Sequence, residues 1–315
     1  MQLSDGRSLA FECHGGVDGL PVLFFHGTPG SRKYWSLVSP PRLAADADVR
    51  LIAFDRPGMG MSDAAPARSV GSLVSDVEEL ADALALDRFS LLSFSGGSGY
   101  ALAVAAAMPE RIVSVALVAP IGDLSVGRLL SSLDPAVKRA LSLASRAEVL
   151  CASPLIARMS ARSLVKLVAE QAWTHLPAAD RRALHSTPMR TAVAEMLEEA
   201  ARGGVEGPRL DLELLAKPWG FNLGDVTVPV DVFAGGADPW STDDMVHWLE
   251  VGLSDCRVQR MPGEGHFTIL THRASEVLTV LVERAHAGRT IAFSAPSGAA
   301  VSDSKAALQY GVAAE

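Results

Sequence analysis

A serine, a carboxylate and a histidine, set in that chain order in three separate loops, give this sequence the parts of a nucleophilic site. The serine is Ser95, in Ser93-Phe94-Ser95-Gly96-Gly97, with the apolar run Phe89-Ser90-Leu91-Leu92 before it and the Ala-rich run Ala101 to Met108 after it. A serine on a sharp turn between strand and helix takes strained backbone angles, so the residues two before and two after it must be small. Ser93 and Gly97 meet that demand, although the usual form, G-x-S-x-G, has glycine where Ser93 stands. The carboxylate is Asp238, in Gly235-Gly236-Ala237-Asp238-Pro239, which follows the apolar run Val228 to Ala234. The histidine is His266, in Pro262-Gly263-Glu264-Gly265-His266-Phe267, after Cys256 to Met261. An imidazole can take a serine proton near neutral pH without extreme tuning, and a carboxylate holds the ring in the accepting tautomer. Ser98 is a weaker nucleophile candidate, because Tyr100 two residues on would crowd the turn.

A fourth loop has the composition to stabilise negative charge. Pro21-Val22-Leu23-Phe24-Phe25 runs into His26-Gly27-Thr28-Pro29-Gly30-Ser31-Arg32, and a glycine-containing turn there can aim backbone N–H groups at a developing oxyanion.

Together with Asp55-Arg56-Pro57-Gly58-Met59-Gly60-Met61-Ser62, these motifs resemble the α/β-hydrolase family, in particular its common bacterial type with HGTPGSR, DRPGxGxS and PGEGHF loops. The resemblance covers roughly residues 1 to 287, over the middle third in helical character alone. It implies Ser95 as nucleophile, His266 as general base and Asp238 as the acid that orients it. Some members carry the acid just after the sixth strand, where Asp123 stands, so Asp123 is the rival; the Gly-Gly-Ala-Asp context favours Asp238. The oxyanion donors implied are the backbone N–H groups of Thr28 and Gly96, with His26 and Gly27 supporting the loop and Asp55, Arg56 and Gly58 bracing it.

The elements that must position these residues are legible as alternation. Leu9 to His14, Val22 to Phe25, Leu51 to Phe54, Phe89 to Leu92 and Ile112 to Val118 read as strands, and Val70 to Leu84 has helical spacing with Asp76, Glu78 and Glu79 on its outer side. Such alternation predicts an α/β fold with a mostly parallel, doubly wound sheet covered on both faces. From about Asp123 to Lys217 strand patterns give way to amphipathic runs: Pro135 to Leu143, Ser163 to Trp173 and Thr191 to Ala201. The expected organisation is a core of 1–122 and 218–287, an inserted helical cap of 123–217 over the carboxyl ends of the sheet, and a weakly ordered Ala, Ser and Gly-rich tail of 288–315.

Trp173, Trp219, Phe221 and Phe267 either line an acyl pocket or pack cap against core. Glu195, Glu198 and Glu199 either recognise a substrate amine, as acidic cap residues do in proline iminopeptidases, or form a solvated helix face, the reading favoured for such a run.

Composition narrows the classes. Of 315 residues 49% are hydrophobic and 20% charged, enough for a large core, and a net charge of -8 with no basic stripe argues against nucleic acid. No apolar run approaches the roughly 20 residues of a membrane span, and the start of the chain lacks a secretory pattern, so a cytoplasmic location is expected. Cys13, Cys151 and Cys256 are odd in number and widely spaced, which predicts reduced thiols and no metal site. The expected function is hydrolysis of a small-molecule ester or related acyl bond through an acyl-enzyme, with no cofactor. Three alternatives stay open: a proline iminopeptidase-like amide hydrolase, whose HGGPG loop is HGTPG here; a C–C bond hydrolase, where tryptophan commonly stands in place of Phe267; and a ligand-binding protein of this fold with little turnover. Oligomeric state has no signature in the sequence.

Overall fold

The structure is a computed structural model that describes residues 1–38, 42–65, 67–145 and 176–292. Seven strands, β1 (Phe11–His14), β2 (Leu20–Phe25), β3 (Val49–Phe54), β4 (Phe89–Phe94), β5 (Ile112–Val118), β6 (Val230–Gly235) and β7 (Cys256–Met261), form one sheet in the order β1-β3-β2-β4-β5-β6-β7. Only β1 is antiparallel, pairing Phe11 with Phe54 at the edge; every other neighbouring pair is parallel. Strands β4 and β6 are buried along their whole length, which is why their sequences read as continuous apolar runs.

The helices, in chain order among the described residues, are α1 (Leu43–Asp46), α2 (Leu73–Ala83), α3 (Ser98–Ala107), α4 (Gly127–Ser132), α5 (Pro135–Ser145), α6 (Ala178–His185), α7 (Thr187–Ala200), α8 (Glu206–Leu215), α9 (Asp243–Gly252) and α10 (His266–Ala292). Successive strand residues point to opposite faces, and the core divides accordingly. Leu23, Ile52, Leu91, Val115 and Val232 meet α2, α3 and α9 on one face. Phe24, Leu51, Leu92, Ala116 and Phe233 meet α10 and the short 3-10 helix Arg32–Leu37 on the other. The Ala-rich sequence of α3 lets it lie close on the sheet, with Ala101, Ala103 and Ala105 all buried.

Between β5 and β6 the described residues hold helices α4 to α8 and no strand, and α7 takes in most of the run expected at 191–201. The run Ser163 to Trp173 and Cys151 lie outside the described residues, as does the tail beyond 292. Helix α10 runs on to Ala292, past the boundary expected at 287. Cys13 and Cys256 are free thiols. Among the described residues no helix is long and apolar enough to cross a membrane.

Candidate active site

Ser95 is the first residue after β4, and its φ of +53° puts it in the left-handed region that a non-glycine residue enters only under constraint. The constraint is visible next to it: a Cβ on Gly97 would collide with the carbonyl oxygen of Phe25 at the end of β2, so only glycine lets the chain turn there into α3. Ser98 takes its place in the first turn of α3, donating its hydroxyl hydrogen bond to the Ser95 carbonyl at 2.7 Å. Ser93 is fully buried in β4, and its hydroxyl has no partner.

Three loops at the carboxyl ends of β4, β6 and β7 bring the serine, carboxylate and histidine into one line. Ser95 Oγ lies 2.9 Å from His266 Nε2, and His266 Nδ1 lies 2.8 Å from Asp238 Oδ2. With Nδ1–H donating to the carboxylate, Nε2 is the acceptor that faces the serine hydroxyl. The other Asp238 oxygen accepts the N–H groups of Trp240 at 2.8 Å and Ser241 at 3.0 Å, which fixes the carboxylate toward the ring. Asp123 is occupied elsewhere, accepting the N–H groups of Ser125 at 2.9 Å and Trp219 at 3.1 Å. Ser95 keeps 7% and His266 4% of their surface exposed, in a setting walled by Phe94, Trp240 and Phe267 around the imidazole.

The loop after β2 is braced from behind. His26 is fully buried; its Nδ1 donates to Gly27 O at 2.8 Å, and its Nε2 accepts the Arg56 N–H at 3.4 Å. Burial first, and then the charges of Arg56 and Arg68, hold this histidine well below the ordinary range, so it stays neutral. The Arg56 guanidinium donates to the carbonyls of His26 and Gly27 and, at 3.0 Å, to Thr28 Oγ1. The Gly27 carbonyl therefore accepts two hydrogen bonds, and it belongs to the peptide whose N–H is that of Thr28, so its polarisation strengthens that donor. Gly96 lies against the Thr28 side chain, with no room for a Cβ between them. Of the residues expected to bear on the site, Ser95, Asp238 and His266 thus meet directly, Thr28 and Gly96 flank the serine, and His26 and Gly27 stand behind Thr28.

The helices between β5 and β6 add three buried acids, Asp211, Asp180 and Glu199, of which only Glu199 stands among the residues expected to bear on function. Asp211 on α8 accepts from Thr28 Oγ1 at 2.6 Å, Tyr100 OH at 2.9 Å, Arg56 Nε at 3.1 Å and Arg68. It shares the buried face of α8 with Pro208 and Leu214, and an aspartate on such a stripe is the signal that was available. Both guanidiniums lie over the Tyr100 ring, at 4.7 and 5.7 Å. Asp180 on α6 accepts backbone N–H groups at the start of α10.

Glu199 on α7 is not the solvated residue expected: it is buried and pairs with Arg32 at 2.7 Å, while Arg32 also holds Asp55. Glu195 and Glu198 are exposed, as a solvated face requires. Trp219 and Phe221 stack on each other at 5.7 Å and pack with α3, so they belong to the core, and Trp173 lies outside the described residues.

A sequence model described as alpha/beta hydrolase fold matches residues 21–273. Among curated proteins, the chain is 32% identical over 122 residues to a proline iminopeptidase of Neisseria gonorrhoeae, covering 37% of this chain and 38% of that protein. It is 36% identical over 118 residues to the dihydrolipoyllysine-residue acetyltransferase component of an acetoin cleaving system of Pseudomonas putida, covering 37% of this chain and 31% of that protein. The matches span well under half the length of these relatives, whose names differ in chemistry. Among solved structures, a hydrolase from Pseudomonas aeruginosa PA01 superposes with a TM-score of 0.68 at 19% identity, over 90% of this chain and 96% of that one, which is a likeness of fold.

Proposed function

The chain belongs to the alpha/beta hydrolase fold family, and from that premise we propose that it is a serine hydrolase, cleaving an ester or related acyl bond of a small molecule through a covalent acyl-enzyme. The observation that carries this reading is the continuous line from Ser95 Oγ through His266 to Asp238, at 2.9 and 2.8 Å, with the serine on a constrained turn.

In the proposed reaction Ser95 Oγ bonds to the substrate carbonyl carbon while His266 Nε2 takes the hydroxyl proton, and the carbonyl electron pair moves onto oxygen. The N–H groups of Thr28 and Gly96 receive that oxyanion, each worth on the order of 3 kcal/mol of transition-state stabilisation. Collapse breaks the bond to the leaving group, which takes the proton from the imidazolium. His266 then deprotonates a water that attacks the acyl carbon, and the acid leaves as Ser95 regains its proton. Asp238 holds the accepting tautomer and stabilises the imidazolium. The helices between β5 and β6 serve as the cap, with Leu215 against Gly96, and Trp240 stands beside the imidazole; these apolar walls suit an apolar acyl or alcohol group. Of the three acids that an iminopeptidase-like reading offers for an amine, Glu199 is engaged by Arg32 and Glu195 and Glu198 are exposed, and this supports an ester over a peptide amine.

The test is hydrolysis of p-nitrophenyl esters of graded acyl length together with fluorophosphonate labelling and peptide mapping. Label on Ser95, lost with turnover in Ser95→Ala, is the expected result. Asp238→Asn is expected to lower kcat by about 10,000-fold through the wrong tautomer, whereas Asp123→Asn leaves the label and the turnover in place. A folded protein whose Ser95 resists the reagent would overturn the reading.

A further inference from the structure

Helix α10 begins at His266, so the proposed base is the first residue of a 27-residue helix. Its leading N–H groups have no partner within the helix and need acceptors from outside it. Gly265, the residue just before, has no side chain to offer, and its own N–H donates to Thr268 Oγ1 at 2.7 Å. The acceptor comes instead from another part of the chain. Asp180 Oδ2 accepts the His266 N–H at 2.7 Å, and Asp180 Oδ1 accepts those of Phe267 at 3.1 Å and Thr268 at 2.9 Å. Asp180 has no exposed surface, and a Cβ on residue 265 would collide with its carboxylate, so the glycine is what admits it.

We propose that Asp180, carried on α6 of the inserted segment, is a positioning residue for His266. The proposal rests on the serine hydrolase reading and adds two effects to it. Three hydrogen bonds fix the backbone from which the imidazole reaches Ser95. The carboxylate also places a full negative charge at the positive end of α10, which would otherwise favour the neutral ring and weaken the base.

The other charged groups around the imidazole are accounted for. Asp238 bonds Nδ1 directly. Tyr34, on the 3-10 helix before α1, has its phenol pushed up by burial and then by the Asp180 charge, so it stays neutral. Glu264 in the preceding turn pairs with His272 and Arg273 of α10. On α6, Arg181, Arg182 and His185 are exposed, and Arg181 donates to the Leu176 carbonyl. Asp46 lies on α1, and the Asp231–Arg284 pair joins β6 to α10 well along the helix. Asp180 is thus the acid that faces the amides of the turn carrying His266.

The experiment compares wild type with Asp180→Asn, which keeps the size and removes the charge; Asp180→Ser, an uncharged cap of shorter reach, replaces it if the asparagine variant does not fold. The His266 imidazole is titrated by proton–nitrogen NMR, its signal assigned by loss in His266→Gln, and ester turnover is followed against pH. The expected result is a His266 pKa lower by about 0.5 to 1 pH unit, the acid limb of kcat/KM moved down by the same amount, and a lower kcat with KM unchanged. A folded variant with unchanged imidazole titration and unchanged kcat overturns the proposal, even if it melts earlier, and leaves the serine hydrolase reading standing. If instead the wild type neither turns over esters nor labels at Ser95, that reading fails, and the titration still decides whether Asp180 sets the basicity of His266.

Discussion

The hydroxyl of Thr28 donates to the carboxylate of Asp211 at 2.6 Å, joining the loop after β2 to a helix 183 residues further along the chain. The same carboxylate is shared by Arg56 and Arg68, so one negative charge stands among two guanidiniums directly behind Thr28. Burial pulls the Arg56 guanidinium down, to about 10, which still leaves it charged at neutral pH. The fold has thus put two guanidiniums on the inner side of the peptide that is proposed to meet an oxyanion, and the inserted segment supplies the acid they share.

Asp211→Ala is therefore expected to be severe. It strands two buried guanidiniums without their acid, a change that typically costs about 3 to 5 kcal/mol. Thr28→Val removes a single hydroxyl from the same cluster and leaves both ion pairs, so its expected cost is only about 1 kcal/mol. Urea unfolding of both variants checks the ranking. A loss below about 1 kcal/mol for Asp211→Ala would mean that the guanidiniums find water when the acid is gone.

His26 makes the stability of the fold depend on pH in a definite direction. Its folded pKa is depressed, first by burial and then by Arg56 and Arg68, while in the unfolded chain it titrates near the ordinary value of about 6.5. Above that value both states are neutral and the full stability is present. As pH falls below it, the unfolded chain binds a proton that the folded one refuses, and stability drops by about 1.4 kcal/mol per pH unit until the folded pKa is reached. His26→Gln should be less stable at pH 8 but flatter between pH 6 and 5, measured by urea unfolding across that range. Parallel curves for the two proteins would show that His26 titrates normally in the folded state.

The sheet and the line of Ser95, Asp238 and His266 were legible because each depends on local chemistry: apolar runs of strand length, and small residues where the turns need them. Asp180, Asp211 and Glu199 were not, because a charged residue on a helix is a solvated residue until a partner far along the chain is known. Arg32 is the partner of Glu199, Arg56 and Arg68 are those of Asp211, and the amides of residues 266 to 268 are those of Asp180, and nothing in the spacing of these residues announces that they meet. Asp211 alone left a trace, in the buried stripe it shares with Pro208 and Leu214. Glu199 differs from Glu195 and Glu198 for the same reason in reverse, since an acidic run suggests solvent and one of its members faces inward.

Ser93 is the one departure from the usual elbow motif, and the structure gives it a measurable consequence. Its hydroxyl is buried in β4 with no hydrogen-bond partner, and leaving a buried polar group unpaired costs about 1 to 3 kcal/mol. Ser93→Ala removes that group and keeps the Cβ that the strand accommodates, so it should raise the unfolding free energy by about 1 kcal/mol. Ser93→Gly restores the usual motif and also removes the hydroxyl, but glycine in a strand gives back about 0.5 to 1 kcal/mol. The expected order of stability is alanine above glycine, with serine at or below glycine. Ester turnover should stay unchanged in both variants, because the turn at Ser95 is set by the contact of Gly97 with Phe25 on the other side. Urea midpoints and kcat for the three proteins decide the matter: a destabilised Ser93→Ala would mean that the hydroxyl has found a bound water worth keeping, and the serine would then be a structural choice in its own right.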